Sequence, residues 1–161
     1  MLTFAELYEA HAADVYRFAL SLTRDRHQAE DITSETFVRA WAKNDRIRTV
    51  TLKGYLFTIA RNLFLDGCRS RRRQAVLDET LVDPAPDPAA RAAAGLALDR
   101  VEQVLRTVPE ADRTAFLLRV QQDLPYAEVA RILGISLIAA RVKVHRVRVR
   151  VIAVCIGKES S

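Results

Sequence analysis

The sequence predicts an all-α protein of two small helical domains, the first with three helices and the second with four including a helix-turn-helix, joined by a flexible acidic linker. Three observations lead there. Apolar residues recur at helical steps of three and four along both halves of the chain. The run Asp83-Pro-Ala-Pro-Asp-Pro88 breaks that pattern, because closely spaced prolines cannot continue a helix and form a stiff, extended stretch. The chain has 161 residues and is 50% hydrophobic, enough for one domain or two small ones with their own cores.

The first helix begins at a capping box of Thr3 and Glu6 and carries Phe4, Leu7, Tyr8, Val15, Phe18, Ala19 and Leu22 at helical spacing. Asp25 followed by Gln28 repeats the start signal, and Ala29, Ile32, Phe37, Ala40 and Trp41 keep the register to about Lys43. Residues 44–51 mix polar, basic and β-branched types without period and read as a loop. The third helix runs from Leu52 to Arg73 with Leu56, Ile59, Ala60 and Leu63 inward, closing a first domain of residues 1–74. Residues 75–87 form the acidic, proline-rich linker.

The second domain, residues 88–156, opens with Asp87 as a cap and Pro88 in the first turn of an alanine-rich helix reaching about Thr107. Pro109 and Pro125 begin two more helices. Gly134 can take the positive φ that ends the third, and Ser136 caps a last helix to about Val154. Within it, Val147-Arg-Val-Arg-Val151 alternates like a strand, and valine favours strands. The stripe of Leu137, Ala140, Val144, Val147, Val151 and Val154 favours helix instead.

Net charge is +5 and unevenly placed: residues 1–74 and 101–161 are basic, and residues 75–100 are acidic. Two basic lobes would be drawn to a phosphate backbone, with a salt-dependent affinity. Each basic lobe contains one markedly basic helix. One ends in Arg69, Arg71, Arg72 and Arg73; the other holds Arg141, Lys143, Arg146, Arg148 and Arg150 with no acid among them, as suits the second helix of a helix-turn-helix in the major groove. Upstream, Asp31, Glu35 and Arg39 lie four apart and share an exposed face, whether as a plain solvated surface or as a docking site.

Other classes find little support. Cys68 and Cys155 lie outside any CxxC or Cys/His pattern, so free thiols are expected, with no disulfide, no metal and no cofactor. His11, His27 and His145 do not cluster, and no catalytic triad or P-loop spacing occurs. Asp66 and Asp112 read as helix-surface or capping groups, so the chain is not expected to be an enzyme. Glu6, Glu9 and His11 stand where a signal peptide needs its apolar run, and no stretch suits a membrane helix, so a cytoplasmic protein without membrane insertion is expected.

Three ordered motifs carry a resemblance: Ala29-Glu-Asp31 with Glu35-Thr-Phe-Val-Arg-Ala-Trp41, then Tyr55-Leu-Phe-Thr-Ile-Ala-Arg-Asn-Leu-Phe-Leu-Asp66, then Leu124-Pro-Tyr-Ala-Glu-Val-Ala-Arg-Ile-Leu-Gly-Ile-Ser136. Together they resemble the bacterial extracytoplasmic-function sigma factors, which have only the region 2 and region 4 domains. The resemblance implies a transcription initiation factor whose partners are core RNA polymerase, promoter DNA as −35 duplex and −10 single strand, and an anti-sigma factor. It implies that Asp31, Ile32, Thr33, Ser34, Glu35, Phe37 and Val38 dock on the polymerase clamp, with apolar burial near Phe37 and Val38. It assigns the −10 strand to Lys53, Tyr55, Arg61, Asn62, Arg69, Arg71 and Arg72, with Tyr55 or Phe57 stacking on an unpaired base. It assigns the −35 duplex to Arg141, Lys143, His145, Arg146 and Arg148, where Arg or Lys can donate two hydrogen bonds to guanine. It also implies a linker lying along the path of nascent RNA. The start of the last helix departs from the family: Ile138, Ala139, Ala140 and Val142 stand where relatives commonly have Gly-Thr-Val and a small polar residue. The alternative is a helix-turn-helix regulator that binds duplex without polymerase.

Overall fold

The computed structural model describes residues 3–43, 51–77 and 99–157, and every regular element among them is helical. The chain divides into two compact units, Met1–Ala85 and Pro86–Ser161, a division that falls inside the expected linker. Residues 78–87 of that linker and the Asp87–Pro88 helix start lie outside the described residues, whereas residues 75–77, expected in the linker, belong to a helix.

In the first unit α1 (Phe4–Thr23), α2 (Arg26–Ala42) and α3 (Leu52–Leu77) pack mutually. The capping box forms as expected, with Glu6 N–H donating to Thr3 Oγ1 at 3.1 Å and Thr3 N–H to Glu6 Oε2 at 3.1 Å. Asp25 accepts from Gln28 N–H at 3.0 Å to start α2. The core is Leu7, Val15, Phe18, Ala19 and Leu22 from α1, Ala29, Phe37 and Ala40 from α2, and Leu56, Phe57, Ala60 and Phe64 from α3. Phe18 and Phe57 meet edge to face with centroids 5.0 Å apart. Helix α3 continues through Gln74, Ala75 and Val76 to Leu77 instead of stopping at Arg73. These are helix-compatible residues, and no glycine or proline intervenes.

The second unit holds α4 (helical residues 99–107), α5 (Glu110–Phe116), α6 (Tyr126–Leu133) and α7 (Leu137–Cys155). Pro109 and Pro125 are the N-caps of α5 and α6. Helix α5 runs on as a π-helical turn, Leu117–Gln121, in which Gln122 N–H reaches Leu117 O at 3.0 Å. Asp123 then takes a left-handed φ of 56°, tolerable for aspartate, and Leu124 N–H closes the end on Leu118 O at 3.0 Å. Val147 to Val151 is helical, and Ala140, Val144 and Val147 are buried on the inner side of α7.

Gly134 ends α6 at φ 66°, and Ile135 N–H bonds Ala130 O at 3.0 Å. A Cβ built there meets nothing within 4 Å, so only the backbone conformation disfavours a side chain. Gly134→Ala is therefore expected to destabilise the second unit by about 1–2 kcal/mol, measurable by thermal denaturation.

No described helix is long and apolar enough to cross a membrane, and Cys68 and Cys155 are free thiols.

Candidate nucleic-acid interface

Helix α2 turns Asp31, Ser34, Glu35, Val38 and Arg39 outward. Glu35 accepts from Arg39 Nε at 2.9 Å, an exposed i,i+4 pair worth about 0.3–0.5 kcal/mol and therefore dispensable to the fold. Two residues expected on this face are not on it. Thr33 is buried, its hydroxyl donating to Ala29 O at 2.7 Å, and Phe37 is wholly buried against Tyr8, with centroids 5.1 Å apart. Both belong to the core, and Ile32 is half-buried beside them. A helix turns about 100° per residue, so a contiguous segment cannot share one face.

The apolar part of the face is Val38, joined by residues not expected there. Val38 is 56% exposed, and Trp41 lies exposed with its ring edge-on to Phe4 at 5.8 Å, while Phe4 stacks on Tyr8 at 6.3 Å. The spacing of Phe4, Tyr8 and Trp41 predicts all three inward, and the structure leaves each of them partly open to solvent. An open groove of about 450 Å³, lined by Tyr8, Tyr16, Glu30 and Ser34 among others, adjoins this face between α1 and α2.

On α3, helical spacing puts Tyr55, Asn62, Arg69 and Arg73 on one side. Tyr55 and Arg61 are half-buried, and Asn62, Arg69, Arg72 and Arg73 are exposed. Of the two rings expected to stack, Phe57 is core, as is Phe64 beyond it, and Tyr55 is half-buried. Several cations are engaged within the unit. Lys53 Nζ lies 3.6 Å from Asp14 Oδ2 and 5.9 Å from the Phe57 centroid. Arg71 donates to Gln28 Oε1 at 2.6 Å and contacts Cys68 Sγ at 3.4 Å, and Arg69 pairs with Asp66. Arg71 thus ties α3 to α2.

Burial and, next, the Lys53 ammonium lower the pKa of His11 below its ordinary 6.5, with Asp14 opposing them. The unfolded chain then binds a proton at higher pH than the folded one, so stability is lost as pH falls below about 6.5. Melting curves taken from pH 7.5 down to 5.5 should show a decline that is smaller in His11→Gln.

The helix-turn-helix is built by α6, the Gly134 turn and α7, whose N-cap Ser136 accepts from Ala139 N–H at 3.0 Å. Arg141, His145, Arg146 and Arg148 are exposed. The Arg141 guanidinium lies 5.6 Å from the Tyr126 ring centroid, and Arg119 lies 4.6 Å from the same ring. Tyr126 thus holds a cation of α7, a role the sequence does not announce. Lys143 departs from expectation. Its Nζ pairs with Asp112 Oδ1 at 3.2 Å, and Asp112, expected as a helix-surface or capping group, lies buried in the first turn of α5. Lys143 is thereby turned towards α5 and away from any duplex on the outer side of α7. Arg150 donates to Thr107 Oγ1 at 2.7 Å. The set facing outward is Arg141, His145, Arg146 and Arg148.

Comparison with known proteins follows the same division. Sigma-70 region 2 matches residues 7–74, and Sigma-70, region 4 matches residues 98–151. The ECF RNA polymerase sigma factor SigM of Bacillus subtilis is 32% identical over 139 residues, covering 84% of this chain and 84% of the relative. The ECF RNA polymerase sigma factor SigL of Mycobacterium tuberculosis is 32% identical over 143 residues, covering 86% and 81%. Among solved structures, the sigma factor RpoE in complex with the anti-sigma factor NepR from Bartonella quintana superposes with a TM-score of 0.80 at 27% identity, covering 98% of each chain. CnrH in complex with the cytosolic domain of CnrY shares the fold, with a TM-score of 0.72 at 23% identity.

Proposed function

This chain belongs to the extracytoplasmic-function sigma factors, and on that premise we propose a division of labour among its surfaces. It is a transcription initiation factor that binds core RNA polymerase and promoter DNA, directs the enzyme to promoters and promotes their opening. The ordered pair of family matches, one on each compact unit, carries this conclusion. Nucleotidyl transfer belongs to the polymerase; this chain acts in the cytoplasm and supplies promoter recognition and opening.

In this proposal the α2 face of Asp31, Ser34, Glu35 and Val38, extended by Trp41, docks on the polymerase. Val38 and Trp41 supply apolar burial, and the two carboxylates set register and on-rate. Tyr55, Arg61, Asn62, Arg69 and Arg72 on α3 hold the opened −10 strand, with Tyr55 as the stacking ring and the arginines on phosphates. Arg141 and Arg146 reach base edges at the −35 element, with His145 and Arg148 on phosphates. Ile138 and Val142, near the start of α7, suit thymine methyl groups where the family's small polar residues are missing.

Each basic lobe offers few phosphate contacts, so the free protein should bind promoter DNA weakly and gain specificity when polymerase fixes the two units in place. An order-of-addition gel shift at physiological salt tests this. A specific complex should form only with core polymerase present; tight, sequence-specific binding by the protein alone would favour a regulator. Asn62→Ala should impair opening of a duplex promoter, with activity restored on a pre-melted bubble. Failure of the bubble to rescue transcription would remove Asn62 from melting.

A further inference from the structure

Two cations of α7 are held in opposite ways. Lys143 meets the buried Asp112 carboxylate at 3.2 Å, a contact that occupies a donor and offsets its charge. Arg141, two residues earlier, lies with its guanidinium 5.6 Å from the Tyr126 ring centroid. A ring attracts a cation through its quadrupole, so Arg141 keeps its full charge and the planar fork of donors that a guanine edge can bond. Arg141 stands in the second turn of α7, where a recognition helix meets base edges. His145, Arg146 and Arg148, the other outward cations, meet no ring or acid among the described residues.

The ring is itself seated from the α5 side. Tyr126 is the first residue of α6, half-buried behind Pro125 as N-cap. Arg119 Nη1 donates to Leu124 O at 3.1 Å, and its guanidinium lies 4.6 Å from the ring centroid. Arg119 belongs to the π-helical turn Leu117–Gln121, whose wider winding rotates side chains out of α-helical register. Arg119, nearer and half-buried, holds the ring, and the ring holds Arg141, farther and exposed. A confined arginine loses less rotamer freedom on binding and cannot swing to a neighbouring base, which sharpens discrimination as well as affinity.

We propose that Tyr126 is a positioning residue for −35 recognition: its ring, seated by Arg119, orders the Arg141 guanidinium towards one guanine and so sets base preference without touching a base. The proposal rests on the assignment of Arg141 to a base edge. A cation–π contact at an exposed site is weak, so its loss should relax that preference about two- to fivefold and not abolish it. The ring acts through its face and the hydroxyl plays no part, so phenylalanine should serve as well as tyrosine.

The test uses the full-length protein with core polymerase and a promoter set in which each −35 base pair is replaced in turn, read as relative promoter affinity. Arg141→Ala marks the base pair that Arg141 reads, as the position whose preference collapses. Tyr126→Leu should relax preference at that position alone, by about two- to fivefold. Its circular dichroism spectrum and salt dependence should be unchanged, since no phosphate contact is lost. Tyr126→Phe should keep the wild-type pattern, and Tyr126→Leu should add nothing in the Arg141→Ala background. Tyr126→Met repeats the comparison should leucine disturb folding. A folded leucine or methionine variant with wild-type preference would overturn the proposal. So would an equal loss at every −35 position, a loss in Tyr126→Phe as large as in Tyr126→Leu, or additive effects of Tyr126→Leu and Arg141→Ala. If Arg141→Ala changed no single position, the base-edge assignment itself would fall, and the positioning role with it.

Discussion

Asp31→Arg combined with Glu35→Arg is expected to reduce binding to core polymerase by at least about a hundredfold, since opposing like charges across an interface cost several kcal/mol and each 1.4 kcal/mol is tenfold. Both carboxylates are exposed, and within the chain the exchange breaks the surface pair of Glu35 with Arg39. The folded state should therefore survive, because surface substitutions usually stay within about 0.5 kcal/mol. Pull-down of core polymerase by the double variant, run beside a melting curve, is the measurement. A folded double variant that retains wild-type binding would move the docking face elsewhere. Val38→Asp should lower affinity by itself, while Thr33 and Phe37 substitutions should act through stability, because both side chains are inside the unit.

The second large effect separates fold from recognition on α7. Lys143→Met leaves the Asp112 carboxylate buried without its cation, supported only by its place in the first turn of α5. Removing one partner of such a pair costs about 2–4 kcal/mol after allowance for the partial exposure of Lys143. For a unit of this size that corresponds to roughly 4–8 °C in melting temperature per kcal/mol. Asp112→Asn together with Lys143→Met should recover most of the loss, since both charges are then absent. Arg141→Ala with Arg146→Ala should do the reverse, leaving the melting temperature in place and relaxing discrimination among −35 sequences. If Lys143→Met left stability unchanged and altered only sequence preference, Lys143 would be a base reader after all.

Much of the helical framework was legible because its signals are local. Thr3 with Glu6, Asp25 with Gln28, Gly134 and Ser136 each act within one turn, and each does in the structure what its spacing suggested. The Asp31–Glu35 face was legible for the same reason. What escaped depends on residues distant in sequence. Nothing local announces that Asp112 will be buried or that Lys143 will reach it, because a pairing thirty-one positions apart exists only once α5 and α7 pack. Arg71 likewise meets Gln28 only across α2 and α3. The π-helical turn at Leu117–Gln121 lacks a proline or glycine to mark it. Trp41, Phe4 and Tyr8 fit an inward stripe by period, yet they gather as a partly exposed aromatic group, the arrangement an interface uses.

The most direct measurement is transcription in vitro from a randomised promoter library with purified core polymerase, with and without this protein. A sigma factor of this kind yields transcripts whose starts depend on the added protein, selects two sequence elements at fixed spacing, and gives permanganate-reactive thymines at the −10 element. Protein-independent starts, or selection of a bound duplex without any opening, would contradict it.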